Sequence, residues 1–415
     1  MSLDSDVALL GTGVAPLVAA SYLLAQGKSV LLLNPDWDFF LEDSELPLDP
    51  LLQKTPTIDL LKSSSPEQAL SILRPDFPGP IEFWSPQTDS HSSGPEGFHD
   101  PSAPHVRQRG RLWISSSDRD RFWNWEALED LYVEAADAGL NPQILDGIAA
   151  TKRFPGFSGS GGNYRGLYIP KIYDVDINRY RNELLEFIRE RVGSKKVICA
   201  LTQLERMPEG IRFHYQGASH TAKLNHGMLV FWTPRLTPWI LQQAKKAETK
   251  PRFPQGVQLW EQWTLNSRDA PDVNTVGMFR DMAVWSDFEG LPPHHPRNER
   301  KPTLQSITPR LGILRAGPLI PLDGLNLPQV GMSWASTESF SSLWNLCHGF
   351  LKWDRFSVRG MKPRAVFEWS QPEQKSPWFL SNLSPWIQVI PACDGPLVNV
   401  VRVARSACES LLKES

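Results

Sequence analysis

Two periods of apolar spacing succeed one another within the first 34 residues of the chain. Asp6-Val7-Ala8-Leu9-Leu10 is an apolar run of strand length that ends on Gly11-Thr12-Gly13. From Val14 the apolar positions thicken into an Ala/Leu-rich stretch through Ala19-Ala20 and Leu23-Leu24. That stretch has the composition of a helix and stops before Gly27-Lys28. Val30-Leu31-Leu32-Leu33-Asn34 is a second strand-length run. A strand, a glycine turn, a helix and a strand make a βαβ unit.

Further along, the pattern changes character several times. Residues 36–106 are interrupted by Pro47, Pro50, Pro56, Pro66, Pro75, Pro78 and Pro80. Two short helices are expected there, over 51–61 and 67–73, followed by a long loop of a kind that is usually functional. Residues 108–117 read as a strand. Asp118 or Asp120 is placed to cap the helix carried by Leu128, Leu131 and Ala135 as far as Gly139. A strand is expected over 166–176, then a helix with Tyr180, Leu184, Leu185, Ile188 and Val192 as its apolar stripe.

Short strands follow over 197–201, 211–215, 222–224 and 228–232, punctuated by Pro208-Glu209-Gly210 and Gln216-Gly217. Thr233-Pro234-Arg235 opens a helix over 239–247, and residues 255–290 resume as antiparallel sheet. A short apolar run at 311–314 leads to Arg315, a helix is expected over 338–353, and a strand, turn and helix close the chain from Ile387 to Leu412.

Composition narrows the classes of function. A chain of 415 residues with net charge −3 has neither the basic balance of a nucleic-acid binder nor an apolar run long enough to span a membrane. The start of the chain does not resemble a signal peptide, and the setting expected is soluble and cytoplasmic. Cys199, Cys347, Cys393 and Cys408 lack C-x-x-C spacing, so neither a disulfide framework nor a zinc site is expected. His91, His99 and His105 likewise lack ligand-like spacing, and no metal is expected. The 16 Trp, spread along the chain, suit core packing or the walls of an apolar pocket.

The glycine turn carries the clearest chemistry. A G-x-G turn between a strand and a helix brings backbone N–H groups and the positive helix end to one point, which suits a dinucleotide diphosphate. Gly11 is expected to allow the tight turn, and Gly13 the close approach of backbone to phosphate. Pro16 stands where the fingerprint has its third glycine; a first helical turn tolerates it. Asn34 stands where an acidic residue would hold ribose hydroxyls, and Asn hydrogen-bonds a ribose less strongly than a carboxylate does. Near the other end, Ala392-Cys393-Asp394-Gly395-Pro396 before a helix is a second phosphate- or ribityl-binding candidate.

Taken together, these segments resemble the FAD-dependent oxidoreductases of the D-amino-acid oxidase/glycine oxidase type. The resemblance runs in order from the N-terminal βαβ through Gly110-Arg111-Leu112-Trp113-Ile114, the Pro-Gly-Phe turn at 155–157, and Gly166-Leu167-Tyr168 to Asp174-Val175-Asp176. It continues through the strand near Val197, the return near Met228, and Arg315 … Pro321-Leu322-Asp323-Gly324 … Pro328-Gln329-Val330-Gly331, and ends on Asp394-Gly395 and the closing helix.

The resemblance implies an α/β fold in which a Rossmann-like FAD-binding domain is interleaved with an antiparallel-sheet substrate domain. The FAD-binding domain would take residues 1–106, 171–250 and the end of 331–415, the last after an insertion. The substrate domain would take 107–170 and 251–330. It also implies a flavoprotein oxidoreductase that oxidises a small amine or amino acid by hydride transfer to FAD, with the electron acceptor left open. By that resemblance Gly11, Gly13, Val14, Ala15, Pro16, Asn34, Val197, Thr233, Asp394, Gly395 and Pro396 would hold the cofactor. Arg315 would clamp a substrate carboxylate, because a guanidinium forms the bidentate pair. Tyr168 and Trp334 would bound the pocket. Two further readings stand beside this one: a flavoenzyme acting on a larger apolar substrate, and a flavin-binding protein without turnover.

Overall fold

The N-terminal strand, Ser5–Leu10, lies in the interior of a sheet between Val30–Asn34, which follows it closely in the chain, and Ala218–Trp232, which comes much later. The computed structural model describes residues 3–34 except 12, and 106–245 except 109, 117–121, 155–156, 158–163, 171, 176, 194–195, 200–202 and 233–235. It also describes 255–289 except 268–274 and 281, together with 308–322, 341, 356–368, 381–391 except 385, and 397–414. The helices expected over 51–61, 67–73 and 338–353, the three loop histidines, and Thr233, Trp334 and Asp394–Pro396 lie outside the described residues.

The first sheet runs in the order Ser381–Ser384, Ile387–Pro391, Ala218–Trp232, Ser5–Leu10, Val30–Asn34, Val197–Cys199. Along this order the pairings from Ile387–Pro391 onward are parallel, and Ser381–Ser384 runs against its neighbour. Parallel strands buried on both faces read as continuous apolar runs, which Val7–Leu10 and Val30–Leu33 are. The helix Val14–Ala25 lies over this sheet and under two others, Ile177–Val192 and Leu397–Glu414. Nine of its 12 residues are buried, including Leu17, Val18 and Leu23, so the helix is covered over most of its surface. It ends in a Schellman cap: Gly27, at φ 76°, donates to Leu24, and Lys28 donates to Leu23.

The strands expected over 222–224 and 228–232 are one continuous strand, Ala218–Trp232. Its first half pairs antiparallel with Gly210–Tyr215, which pairs in turn with Gln203–Met207. Its second half pairs parallel with the N-terminal strand. Gly227, at φ 103°, makes the change of direction possible. A Cβ there would lie 2.6 Å from the Trp386 carbonyl oxygen, so this position tolerates no side chain.

The second sheet is antiparallel but for one contact. Its order is Phe356–Glu368, Gly256–Ser267, Thr308–Pro321, Met282–Glu289, Val276–Phe279, Arg111–Ser115, Arg165–Ile169, Gln143–Asp146. One face carries Leu112, Ile114, Tyr168, Phe279, Met282, Ile313 and Trp263, covered by Phe122, Phe154 and Phe157. The other carries Trp113, Leu167, Ile169, Met278 and Trp260 against Leu128, Leu131 and Ala135 of the helix Trp125–Asp137. That helix is capped by Asn124, whose Oδ1 accepts from the Glu126 backbone 3.4 Å away. The strand Gln143–Asp146 and the helix Gly147–Arg153 after it were not expected; Asp146 caps that helix through the Ala149 N–H at 2.7 Å.

Opposite the glycine turn, Asp6 ties three parallel strands together. It accepts from the Ser29 backbone at 2.7 Å, the Ser29 hydroxyl at 2.8 Å and the Asn225 amide at 2.8 Å. Burial works against its charge, but the Asn225 and Ser29 hydrogen bonds and nearby His226 outweigh it and hold the carboxyl down at about 2. A depressed folded pKa adds stability that is present above the unfolded value near ~3.9 and is lost as pH falls through about 2. We predict that Asp6→Asn costs about 1–2 kcal/mol at neutral pH, discounted for partial exposure. The difference from the parent should shrink between pH 4 and pH 2, as read by denaturant unfolding across that range.

Candidate functional site

The parallel order places the N-terminal strand between Val30–Asn34 on one side and Ala218–Trp232 on the other. The connections from the N-terminal strand and from Ala218–Trp232 therefore leave in opposite directions and open a crevice at the carboxyl ends of the strands. Gly11 and Gly13 stand at that edge. Gly13 takes the turn conformation, at φ 82° and ψ −154°, and is the N-cap of the helix Val14–Ala25. Gly11 serves close packing: a Cβ on it would lie 2.9 Å from the Phe231 Cβ and 3.2 Å from the Phe231 carbonyl oxygen. Gly11 also donates its N–H to the Leu33 carbonyl at 3.2 Å, which fixes the turn to the end of the second strand.

At the helix start, no side chain caps the backbone and no acidic residue occupies the first turn. Both features leave the positive end of the helix suited to an anionic group. Val14 and Ala15 are the first two helical residues, and Pro16 is the third. All three are buried. Pro16 removes one of the first-turn N–H donors, so backbone contacts to a phosphate here would come from the residues before it. The arrangement fits a dinucleotide diphosphate by backbone geometry, with one donor fewer than the glycine form.

Asn34 ends the second strand, at the same edge of the sheet as the glycine turn. Val197 is paired with Leu32 and packs into the core beneath that edge; Cys199 shares the level of Asn34. Beyond Trp232 the chain turns into the helix Thr237–Ala244, and the Trp232 indole donates to the Thr237 hydroxyl at 3.1 Å, both groups being buried. This hydrogen bond anchors the two ends of the segment that contains Thr233.

Arg315 lies in the second sheet on Thr308–Pro321, facing Glu261 across one strand boundary and Met282 across the other. Its Nη1 is 3.5 Å from Oε2 of Glu261, and the Trp263 indole donates to that same oxygen at 3.0 Å. The Glu261 side chain is 4% exposed and the Arg315 side chain 23%. A carboxylate this buried requires a cation and a donor, and it has both. Sequence reading singled out Arg315 but missed Glu261. The alternation Leu259-Trp260-Glu261-Gln262-Trp263 held the signal, since it puts a charge on a face otherwise apolar on both sides.

Tyr168 is buried on the same face of the sheet, with the Arg153 guanidinium 4.8 Å from its ring centroid and its hydroxyl packed at Gly110. Four strand steps separate Tyr168 from Arg315.

Replacing Gly13 with Ala should cost about 1–2 kcal/mol through backbone strain alone. Gly11→Ala should destabilise through a clash with the neighbouring strand, which includes backbone and cannot rotate away. Chemical denaturation of both variants checks the two mechanisms, and only the Gly11 variant should be rescued in part by Phe231→Gly.

No family model matches this chain, and no curated protein matches it. Solved structures do. NikD, an unusual amino acid oxidase essential for nikkomycin biosynthesis, superposes in its open form with a TM-score of 0.60 at 13% identity, covering 99% of this chain and 95% of that one. Glycine oxidase from Bacillus cereus gives 0.56 at 12% identity over 99% and 96%. Dithionite-reduced L-α-glycerophosphate oxidase from Mycoplasma pneumoniae with FAD bound gives 0.61 at 12% identity over 99% and 95%. Over essentially its whole length, the chain has the mixed α/β fold of the D-amino-acid oxidase/glycine oxidase type.

Proposed function

We propose that this chain is a flavoprotein oxidoreductase that binds FAD at the crevice beside Gly11 and Gly13 and oxidises a small amine or amino acid. The observation that carries the reading is the convergence of three features at one sheet edge. They are the strand-order reversal, the positive-φ N-cap at Gly13, and a helix start with neither a side-chain cap nor an acidic first turn. The similar solved structures add support, since those named are oxidases and one holds FAD.

In this reading the backbone at Gly11, Gly13, Val14 and Ala15 holds the diphosphate, with Pro16 shaping the first turn. Asn34 takes the ribose side. Thr233 and the segment Asp394-Gly395-Pro396 serve the flavin side, and the chain that follows Val197 serves the adenine side. FAD, when bound, supplies the hydride acceptor, so the protein has only to bind, orient and exclude water. The second sheet does that work. One of its faces carries the buried apolar residues Trp263 on the strand that bears Glu261, Met282 directly opposite Arg315, and Phe279 opposite Met282. An apolar face with one fixed polar group orients a small organic substrate.

The purified chain should show a visible flavin absorption band, and anaerobic addition of an amine or amino acid from a panel should bleach it. A band that no member of the panel bleaches would shift the reading to a larger apolar substrate. No band, even after FAD is supplied, would sink the cofactor assignment.

A further inference from the structure

Glu261 changes what Arg315 can recognise. An unopposed guanidinium in an apolar setting attracts carboxylates strongly and orients them through paired donors. Here the guanidinium already faces a carboxylate 3.5 Å away, on a directly opposed residue of the neighbouring strand. That carboxylate is held in turn by the Trp263 indole, two residues along the same strand, at 3.0 Å. Glu261 cannot swing out to water, because its side chain is 4% exposed. The pair therefore presents no net positive charge. A second carboxylate arriving at Arg315 would place two anions on one cation in a low-dielectric setting, where like charges disfavour the complex strongly.

We infer that Glu261 is a specificity-determining residue, and that its pairing with Arg315 makes the site select an amine lacking an α-carboxylate over the corresponding α-amino acid. This rests on the amine-oxidising reading above and on Arg315 standing at the substrate. Glu261 acts through Arg315: it cancels the charge that would otherwise hold an acid. The apolar neighbours of the pair, Met282, Phe279 and Ile313, suit the hydrocarbon part of such an amine.

The test uses a matched pair of ligands, phenylalanine and 2-phenylethylamine, which differ by the carboxylate alone. Their dissociation constants are measured by calorimetry on the full-length protein as purified, and the ratio of the two is the readout. The parent protein should prefer the amine by at least about tenfold, and Glu261→Gln should move the ratio toward the amino acid by at least about tenfold. Glutamine keeps an oxygen for the Trp263 indole, so the variant removes charge and spares that hydrogen bond. Trp263→Phe provides the control: it removes the indole donor, leaves the Glu261 charge, and should leave the ratio within about threefold of the parent.

A parent protein that prefers the amino acid, shows no preference, or binds neither ligand would overturn the inference. So would a ratio unmoved by Glu261→Gln, or one moved equally by Trp263→Phe. The visible spectrum of the same sample is read separately. A missing flavin band counts against the cofactor assignment, while the calorimetric ratio still decides the role of Glu261.

Discussion

The helix Val14–Ala25 is the element on which the first layer of the structure depends. Nine of its 12 residues are buried and nearly all of those are apolar, so it is stable only when it is covered above and below. The sheet covers one side with Leu9, Leu32, Leu229 and Phe231, and the helices Ile177–Val192 and Leu397–Glu414 cover the other with Leu184, Ile188, Val401 and Ala404. Burying a Leu or Val of this kind contributes about 1.5–3 kcal/mol. The same burial aims the start of the helix at the crevice. The helix has almost no freedom to tilt between three packed surfaces, and its N-terminal backbone groups are preorganised without any side chain assigned to the task.

The second sheet follows a different rule. Its strands keep the period of two, so each face has its own core, with Trp263 and Trp260 of one strand serving opposite clusters. Glu261 and Arg315 interrupt one of these cores with a charge pair. Buried ion pairs seldom add stability over an apolar replacement, because desolvation offsets the attraction. Such a pair fixes the register of the two strands that carry it, since Glu261 and Arg315 stand directly opposite one another.

Much of the first layer was legible in the residues themselves. Central parallel strands are apolar on both faces, and the glycine turn marks where strand becomes helix, so the opening βαβ unit stands out. The edges of the second sheet did not stand out. Gln143–Asp146 has four residues, with Gln143, Ile144 and Asp146 exposed, and Phe356–Glu368 carries Gly360 and Pro363 among charged residues. An edge strand pairs on one side only, so it tolerates proline and needs no clean alternation. Nor was the division at Gly227 legible, because it depends on the Trp386 carbonyl, 159 residues away in sequence. The Glu261–Arg315 pair is hidden for the same reason: register between distant strands decides it.

The burial of the first helix also sets the order in which the molecule can be made. Residues 14–25 are synthesised long before one of the helices that closes over them, which begins at Leu397. At ~5–20 residues per second, that interval is roughly 20–75 s. The strand flanking Ser5–Leu10 on the far side, Ala218–Trp232, arrives only midway through that time. Until those elements arrive the nascent chain carries a largely apolar helix that is only partly covered and a central strand with an open edge. Such surfaces are ligands for chaperones and for other nascent chains, so the yield of folded protein in a cell is governed by how this waiting period is managed.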